Sequence, residues 1–201
     1  TTERVFSRIA FKLLGMKIEI QGLENIPKNE PVVFISNHQS MMDIKLSLAC
    51  IPTNISFISK DTLFRVPILG AYMTASGHIP IQRGEDRKAY ETLLTAVKKL
   101  TAKKSLVVFP EGTRSEDGQL GAFKRGISLI ILKSGRRVVP MAICGSNQFM
   151  PKRGWLSHPE KRYVKMNFGK PLSFDNSRTD REYTIQVTNQ LRNEVLGLLQ
   201  S

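Results

Sequence analysis

Two stretches of this chain, residues 31–35 (Pro-Val-Val-Phe-Ile) and 105–109 (Ser-Leu-Val-Val-Phe), are apolar at nearly every consecutive position. A strand with one face in water alternates apolar and polar residues, so runs without alternation belong to strands covered on both faces. The patterns between them supply the cover. Residues 86–103 place Tyr90, Leu93, Leu94, Val97 and Leu100 at i, i+3, i+4 and i+7 spacing, with acids early and lysines late, as the helix dipole favours. Residues 125–134 read as another helix, and 179–199 as a terminal one that buries Tyr183, Val187, Leu191, Val195 and Leu198. A helix is also expected from the turn at 37–42 through Ala49, with short helical pieces on either side of Pro67. Further strands are expected at 17–21, 54–59, 77–83, 138–144 and 163–169. Strands alternating with helices predict a single α/β domain with a mixed, largely parallel sheet flanked by helices. A length of 201 residues suits one core.

At the amino end, Val5, Phe6, Ile9, Ala10, Leu13 and Leu14 recur at helical spacing, and Arg4, Arg8 and Lys12 follow at every fourth position. This basic amphipathic pattern divides the chain into a membrane-associating helix over residues 1–15, whose three cations meet anionic headgroups, and a domain over 16–201. The competing reading packs the helix on its own core with a solvated basic edge. No apolar run reaches the about 18 residues that a spanning helix needs. An anchor lying upstream of Thr1 is compatible with the sequence. The stretch 146–162, with Trp155, is expected to be irregular and to form a rim or a membrane-facing element.

Lys and Arg number 30 against 17 Asp and Glu, a formal charge of +13. The expected partner is therefore an anion. A nucleic-acid module would interleave aromatic residues with its basic patch, yet aromatics make up 7% and Trp155 stands alone, so no nucleic-acid partner is expected. Cys50 and Cys144 are far apart, which supports neither a disulfide framework nor a zinc site, and no metal is expected. Serine-elbow, P-loop, dinucleotide and zinc-peptidase motifs are absent.

What remains is a histidine directly after a buried strand, in Ser36-Asn-His-Gln-Ser-Met-Met-Asp43. In an open α/β sheet the ligand crevice lies beyond the carboxyl ends of the strands. Asp43 can reach back to the Nδ1 proton of His38 and leave Nε2 as a base for a hydroxyl; the plainer alternative is an acid at a helix start beside a loop histidine. A second constellation, Phe109-Pro-Glu-Gly-Thr-Arg-Ser115, also follows a buried strand. There Gly112 lets backbone N–H groups approach an anion, Arg114 offers a forked donor, and Glu111 holds either the loop or a substrate hydroxyl; the plainer alternative is a turn built of Pro, Gly and Thr. Arg83, Lys60, Lys124 and Arg125 lie at further strand or helix junctions; sharing one rim they would suit a phosphate, and on so basic a chain several are otherwise solvated surface charges.

In order and spacing, Asn37-His38-x4-Asp43, the Gly-x5-Arg83 strand, Phe109–Ser115 and Val138-Val-Pro-Met-Ala-Ile143 resemble the four blocks of the glycerolipid acyltransferase family, those of bacterial lysophosphatidic acid acyltransferases above all. The resemblance runs from about residue 22 to 169. It implies a glycerol-3-phosphate acyltransferase-like domain at the cytoplasmic face of a membrane, peripheral or anchored by a segment outside this chain. The implied reaction moves an acyl chain from acyl-CoA or acyl carrier protein to the free hydroxyl of lysophosphatidic acid, making phosphatidic acid, with no bound cofactor. The resemblance also implies His38 as base, Asp43 as its orienter, and Ser40, Arg83, Glu111, Gly112, Thr113 and Arg114 around the acceptor phosphate, with Lys60 and Lys124 as further cations. The second block departs from the usual pattern, with Pro80 and Gln82 where a Phe and an Asp are common. Another lysophospholipid or glycerol 3-phosphate is the alternative acceptor.

Overall fold

The unalternating runs form the middle of a seven-stranded sheet. The computed structural model describes residues 2–81, 91, 94, 95, 97, 98, 103–152 and 160–201. Its strands are β1 (Lys17–Gln21), β2 (Val33–Ser36), β3 (Ile55–Lys60), β4 (Ile79–Ile81), β5 (Ser105–Val108), β6 (Val138–Cys144) and β7 (Tyr163–Phe168). They lie in the order β1-β7-β6-β2-β5-β3-β4, and every pairing is parallel except that of β6 with β7. The sheet is thus mixed and mostly parallel, with β1 and β7 running against the other five.

Period-two geometry divides the apolar runs between the two faces. Phe34, Val107, Val139 and Met141 pack on one side, under helices α1 (Thr2–Leu13) and α2 (Met42–Cys50). Val33, Ile35, Leu106, Val108 and Val138 pack on the other, under α5 (Arg125–Ser134) and α7 (Arg181–Gln200). Between these helices come α3 (Asp61–Phe64), α4 (Leu69–Ala75), which flank Pro67 as expected, and the short α6 (Ser146–Phe149), which opens a stretch expected to be irregular. In the helix expected at 86–103, Val97 is buried in the second cluster and Leu94 packs against it, whereas Tyr90, Leu93 and Leu100 lie outside the described residues. Residues 82 and 83 of the expected strand at 77–83, and Trp155, also lie outside them.

Two crossovers leave the centre in opposite directions. The one after β2 carries α2 over the first face towards β3, and the one after β5 carries α5 over the second face across β2 to β6. The carboxyl end of β2 is therefore a switch point, where an open sheet leaves a crevice.

The amphipathic helix is present, and part of its basic edge is engaged within the domain. Arg4 Nη2 donates to Thr53 O at 2.9 Å and Arg8 Nε to Ala49 O at 2.8 Å, so two of the three cations face the body of the domain. The cause is local: Ala49 lies in the last turn of α2, where carbonyls lack intrahelical donors and a guanidinium can supply them. Phe11 and Ser7 point inward, Lys12 is exposed, and the row Val5, Phe6, Ile9 and Leu13 is left facing outward.

Candidate active site

His38 leaves the end of β2 in a loop that Asn37 fixes. The Asn37 amide continues the ladder to β6, donating to Ile143 O and accepting from Ile143 N, each at 2.8 Å. Asp43 sits in the first turn of α2, completely buried. Its Oδ2 meets His38 Nδ1 at 2.8 Å and accepts from Gln39 N at 2.7 Å and Ser40 N at 2.8 Å. An oxygen that already accepts two backbone N–H bonds takes the imidazole proton as a third, which assigns the proton to Nδ1 and leaves Nε2 with a free lone pair. Oδ1 of the same carboxylate has no partner among the described residues.

The loop after β5 is laced to the loop after β2. Glu111 Oε1 accepts from His38 N at 2.8 Å, and its Oε2 accepts from Gly121 N at 2.9 Å. Ser115 N returns a bond to His38 O at 2.8 Å, and Gln39 Nε2 donates to Gly118 O at 2.8 Å. Burial raises the Glu111 carboxyl above its ordinary value, opposed by the N–H groups of Gly121 and His38. Gly112 has φ +70, a backbone conformation that favours glycine, and a Cβ there would come within 2.9 Å of Lys124 Cε and Nζ, displacing the end of that side chain.

The expected residues thus divide into three groups. His38 and Asp43 meet. Ser40 and Glu111 are buried, and their oxygens are occupied within the protein: Ser40 Oγ donates to Met150 O at 2.6 Å and accepts from Met42 N. Thr113 and Lys124 are exposed and Arg114 is half-buried beside Gly112 in the second loop, while Lys60 is exposed at the end of β3, the strand next to β5. Arg83 lies outside the described residues. Among the described residues no three His, Cys, Asp or Glu side chains converge as metal ligands.

One contributor has no periodic or motif signal that assigns it a role. The Phe109 ring stacks on the His38 imidazole, with centroids 4.2 Å apart and planes 19° from parallel, and Phe57 lies on its far side at 6.4 Å. The imidazole is thereby fixed at one edge by Asp43 and across one face by Phe109.

A family model described as Acyltransferase matches residues 17–144, which hold His38, Asp43, Arg83 and the whole Phe109–Ser115 loop. The chain belongs to this acyltransferase family. The chain is 40% identical, over 74% of its length, to a chloroplast 1-acyl-sn-glycerol-3-phosphate acyltransferase of Arabidopsis thaliana, and covers 42% of that protein. It is 31% identical to the 1-acyl-sn-glycerol-3-phosphate acyltransferase of Borreliella burgdorferi over 74% of its own length and 60% of the relative's. The chain therefore spans less than two thirds of these relatives. A crystal structure of the 1-acyl-sn-glycerophosphate (LPA) acyltransferase from Thermotoga maritima superimposes with a TM-score of 0.78 at 27% identity, over 98% of this chain and 78% of that one.

Proposed function

We propose that this acyltransferase moves a fatty acyl chain from a thioester to the free hydroxyl of 1-acylglycerol 3-phosphate, making phosphatidic acid for phospholipid biosynthesis. The observation that carries the reading is the His38–Asp43 pair at 2.8 Å, held at a switch point with Nε2 free. Nε2 takes the hydroxyl proton as the oxygen attacks the thioester carbonyl, and the oxyanion is met by backbone N–H groups or a nearby cation. The C–S bond then breaks and the imidazolium returns the proton to the departing thiolate. Arg83, Gly112, Thr113 and Arg114 hold the acceptor phosphate, with Lys60 and Lys124 adding charge. Ser40 and Glu111 serve that site from behind, through the loops that they fix.

Direct transfer fits the cysteines. Burial pushes the Cys50 thiol up to about 12 and also raises that of Cys144, so neither favours the thiolate that an acyl-cysteine route requires. The donor is acyl-CoA or acyl carrier protein, and a charge of +13 suits either anion. The lipid acceptor and the outward apolar row of α1 support work at an anionic membrane surface, and the family resemblance supports the cytoplasmic side of it. No helix among the described residues is long and apolar enough to cross a membrane.

A radiolabelled panel crossing lysophosphatidic acid, other lysophospholipids and glycerol 3-phosphate with both donors tests the reading. Lysophosphatidic acid should be the preferred acceptor, and His38→Ala, still folded, should lower turnover by about two orders of magnitude or more. Preference for glycerol 3-phosphate, near-parent turnover of His38→Ala, or a covalent acyl-enzyme trapped by rapid quench would each reject it.

A further inference from the structure

The two most exposed large apolar side chains among the described residues are Leu13, 84% exposed, and Ile68, 87% exposed. Chain direction puts both at one edge of the sheet. Helix α1 runs into β1, whose Lys17 pairs with Tyr163 at the start of β7, and the neighbouring β7 residue Lys165 pairs with Cys144 at the end of β6. The Leu13 end of α1 therefore lies at the edge where β6 ends. On the other flank β3 ends at Lys60, and α4 returns towards the opposite edge, where Ser76 O accepts a bond from Ser56 near the start of β3. Ile68, which opens α4, is thus left on the Lys60 side. His38, at the end of β2, lies between the two flanks in the sheet order.

Ile68 is unusual in a second respect. Its φ of 65 makes it the only non-glycine residue with positive φ among the described residues, and β-branched side chains rarely tolerate that region. The turn around it also exposes Val66, Leu69 and Leu63, and Arg65, 73% exposed within it, pairs with Asp61 at 2.9 Å. The two flanks are joined at their far ends: Glu3 of α1 accepts from Tyr72 Oη at 2.6 Å and Ser76 Oγ at 2.8 Å on α4 and its cap. They consequently present their apolar tips as parts of one body.

We propose that the turn at Ile68 is a second membrane contact, which inserts into an anionic bilayer alongside the Leu13 end of α1, so that the bilayer surface spans the His38 crevice. The proposal rests on the membrane-surface reading above and adds the segment that completes it. Lys60 on one flank and Lys12 on the other, both exposed, give the tips cations suited to anionic headgroups, while Arg65 is paired with Asp61.

The test uses Trp155→Phe as background, because Trp155 is the chain's single tryptophan. Ile68→Trp, Leu13→Trp and Ile185→Trp are added one at a time, Ile185 being an exposed apolar control on α7, which covers the other face. With vesicles of equal parts phosphatidylglycerol and phosphatidylcholine carrying brominated acyl chains, emission from positions 13 and 68 should shift to the blue and be quenched, and that from 185 should not. Ile68→Gly, which relieves the backbone and removes the side chain, should lower vesicle partitioning about tenfold while Tm holds or rises. Quenching at 13 without 68, equal quenching at 185, or a vesicle-independent and concentration-dependent blue shift at 68, which marks a second copy as the occupant, would each overturn the proposal. These readouts need no turnover. A protein that docks through Ile68 but transfers no acyl group rejects the proposed reaction alone, and one that acylates vesicle lipid with position 68 unquenched rejects the docking alone.

Discussion

A base that accepts a proton in every turnover needs one free nitrogen and a ring that stays in place. Asp43 fixes the edge of the His38 ring, and the 4.2 Å stack on Phe109 fixes its face. Aromatic pairs are worth about 0.5–1.5 kcal/mol beyond burial, so loss of the stack in the transition state should cost up to about tenfold in kcat. Phe109→Leu should therefore lower kcat with both KM values unchanged, and Phe109→Tyr should restore it. Steady-state kinetics decides between this and a merely structural ring, whose loss would lower Tm and leave the kcat of the folded fraction intact. Arg114 makes the complementary case for binding. In Arg114→Ala the acceptor KM should rise by one to two orders of magnitude while the donor KM stays put, with Arg114→Lys recovering only part, because a lone ammonium cannot reproduce the forked pair with phosphate.

At the scale of elements, the return from α4 into β4 is held by a histidine outside the candidate site. His78 Nδ1 accepts the Phe57 N–H at 3.2 Å, which requires that nitrogen to be unprotonated. Burial lowers its pKa from the ordinary 6.5; Glu3 pulls it upward, and Lys104 adds to the lowering. Because the folded value lies below the unfolded one, the unfolded chain binds the extra proton in the interval between them, and stability falls as the pH drops below 6.5. Thermal melts across that interval should show Tm decreasing with pH, and His78→Asn, whose Oδ1 can still accept from Phe57, should flatten the slope; an unchanged slope would refute the assignment. The same elements show what a sequence reveals. Helix 125–134 and strand 138–144 were legible to the residue because their bounds are local: Gly135, in the left-handed conformation, closes the helix, and an unbroken apolar run makes the strand. The Glu111 bond to His38 N joins residues 73 apart, and the Phe109 stack depends on the register of β2 against β5, so neither has a local signature. On α1 the periodicity was legible but the facing was not. Carbonyls near the end of α2 turned Arg4 and Arg8 inward, and no pattern within α1 encodes that.

For the whole molecule, that facing divides the charge of +13 into cations that build the fold and cations free to meet a surface. Arg8 belongs to the first kind and Lys12 to the second. A basic residue near an anionic bilayer contributes about 1 kcal/mol, screened over a Debye length of about 10 Å at 0.1 M salt, whereas inserted apolar side chains are insensitive to salt. Lys12→Gln should therefore weaken partitioning into anionic vesicles about fivefold at low salt, have little effect at 0.5 M, and leave Tm unchanged. Arg8→Gln should do the reverse, lowering Tm because a carbonyl of α2 loses its donor, with little change in the vesicle affinity of the folded protein. Phe6→Asp should reduce binding at every salt concentration, since it removes insertion and adds a repelled charge. Substitution separates these effects where truncation of α1 would not, because truncation also strips Phe11 from the core beneath it. Co-sedimentation at two salt concentrations, read beside melting curves, distinguishes the three variants. An Arg8→Gln protein that melts like the parent but no longer binds vesicles would place Arg8 on the membrane side and reverse the orientation of the helix.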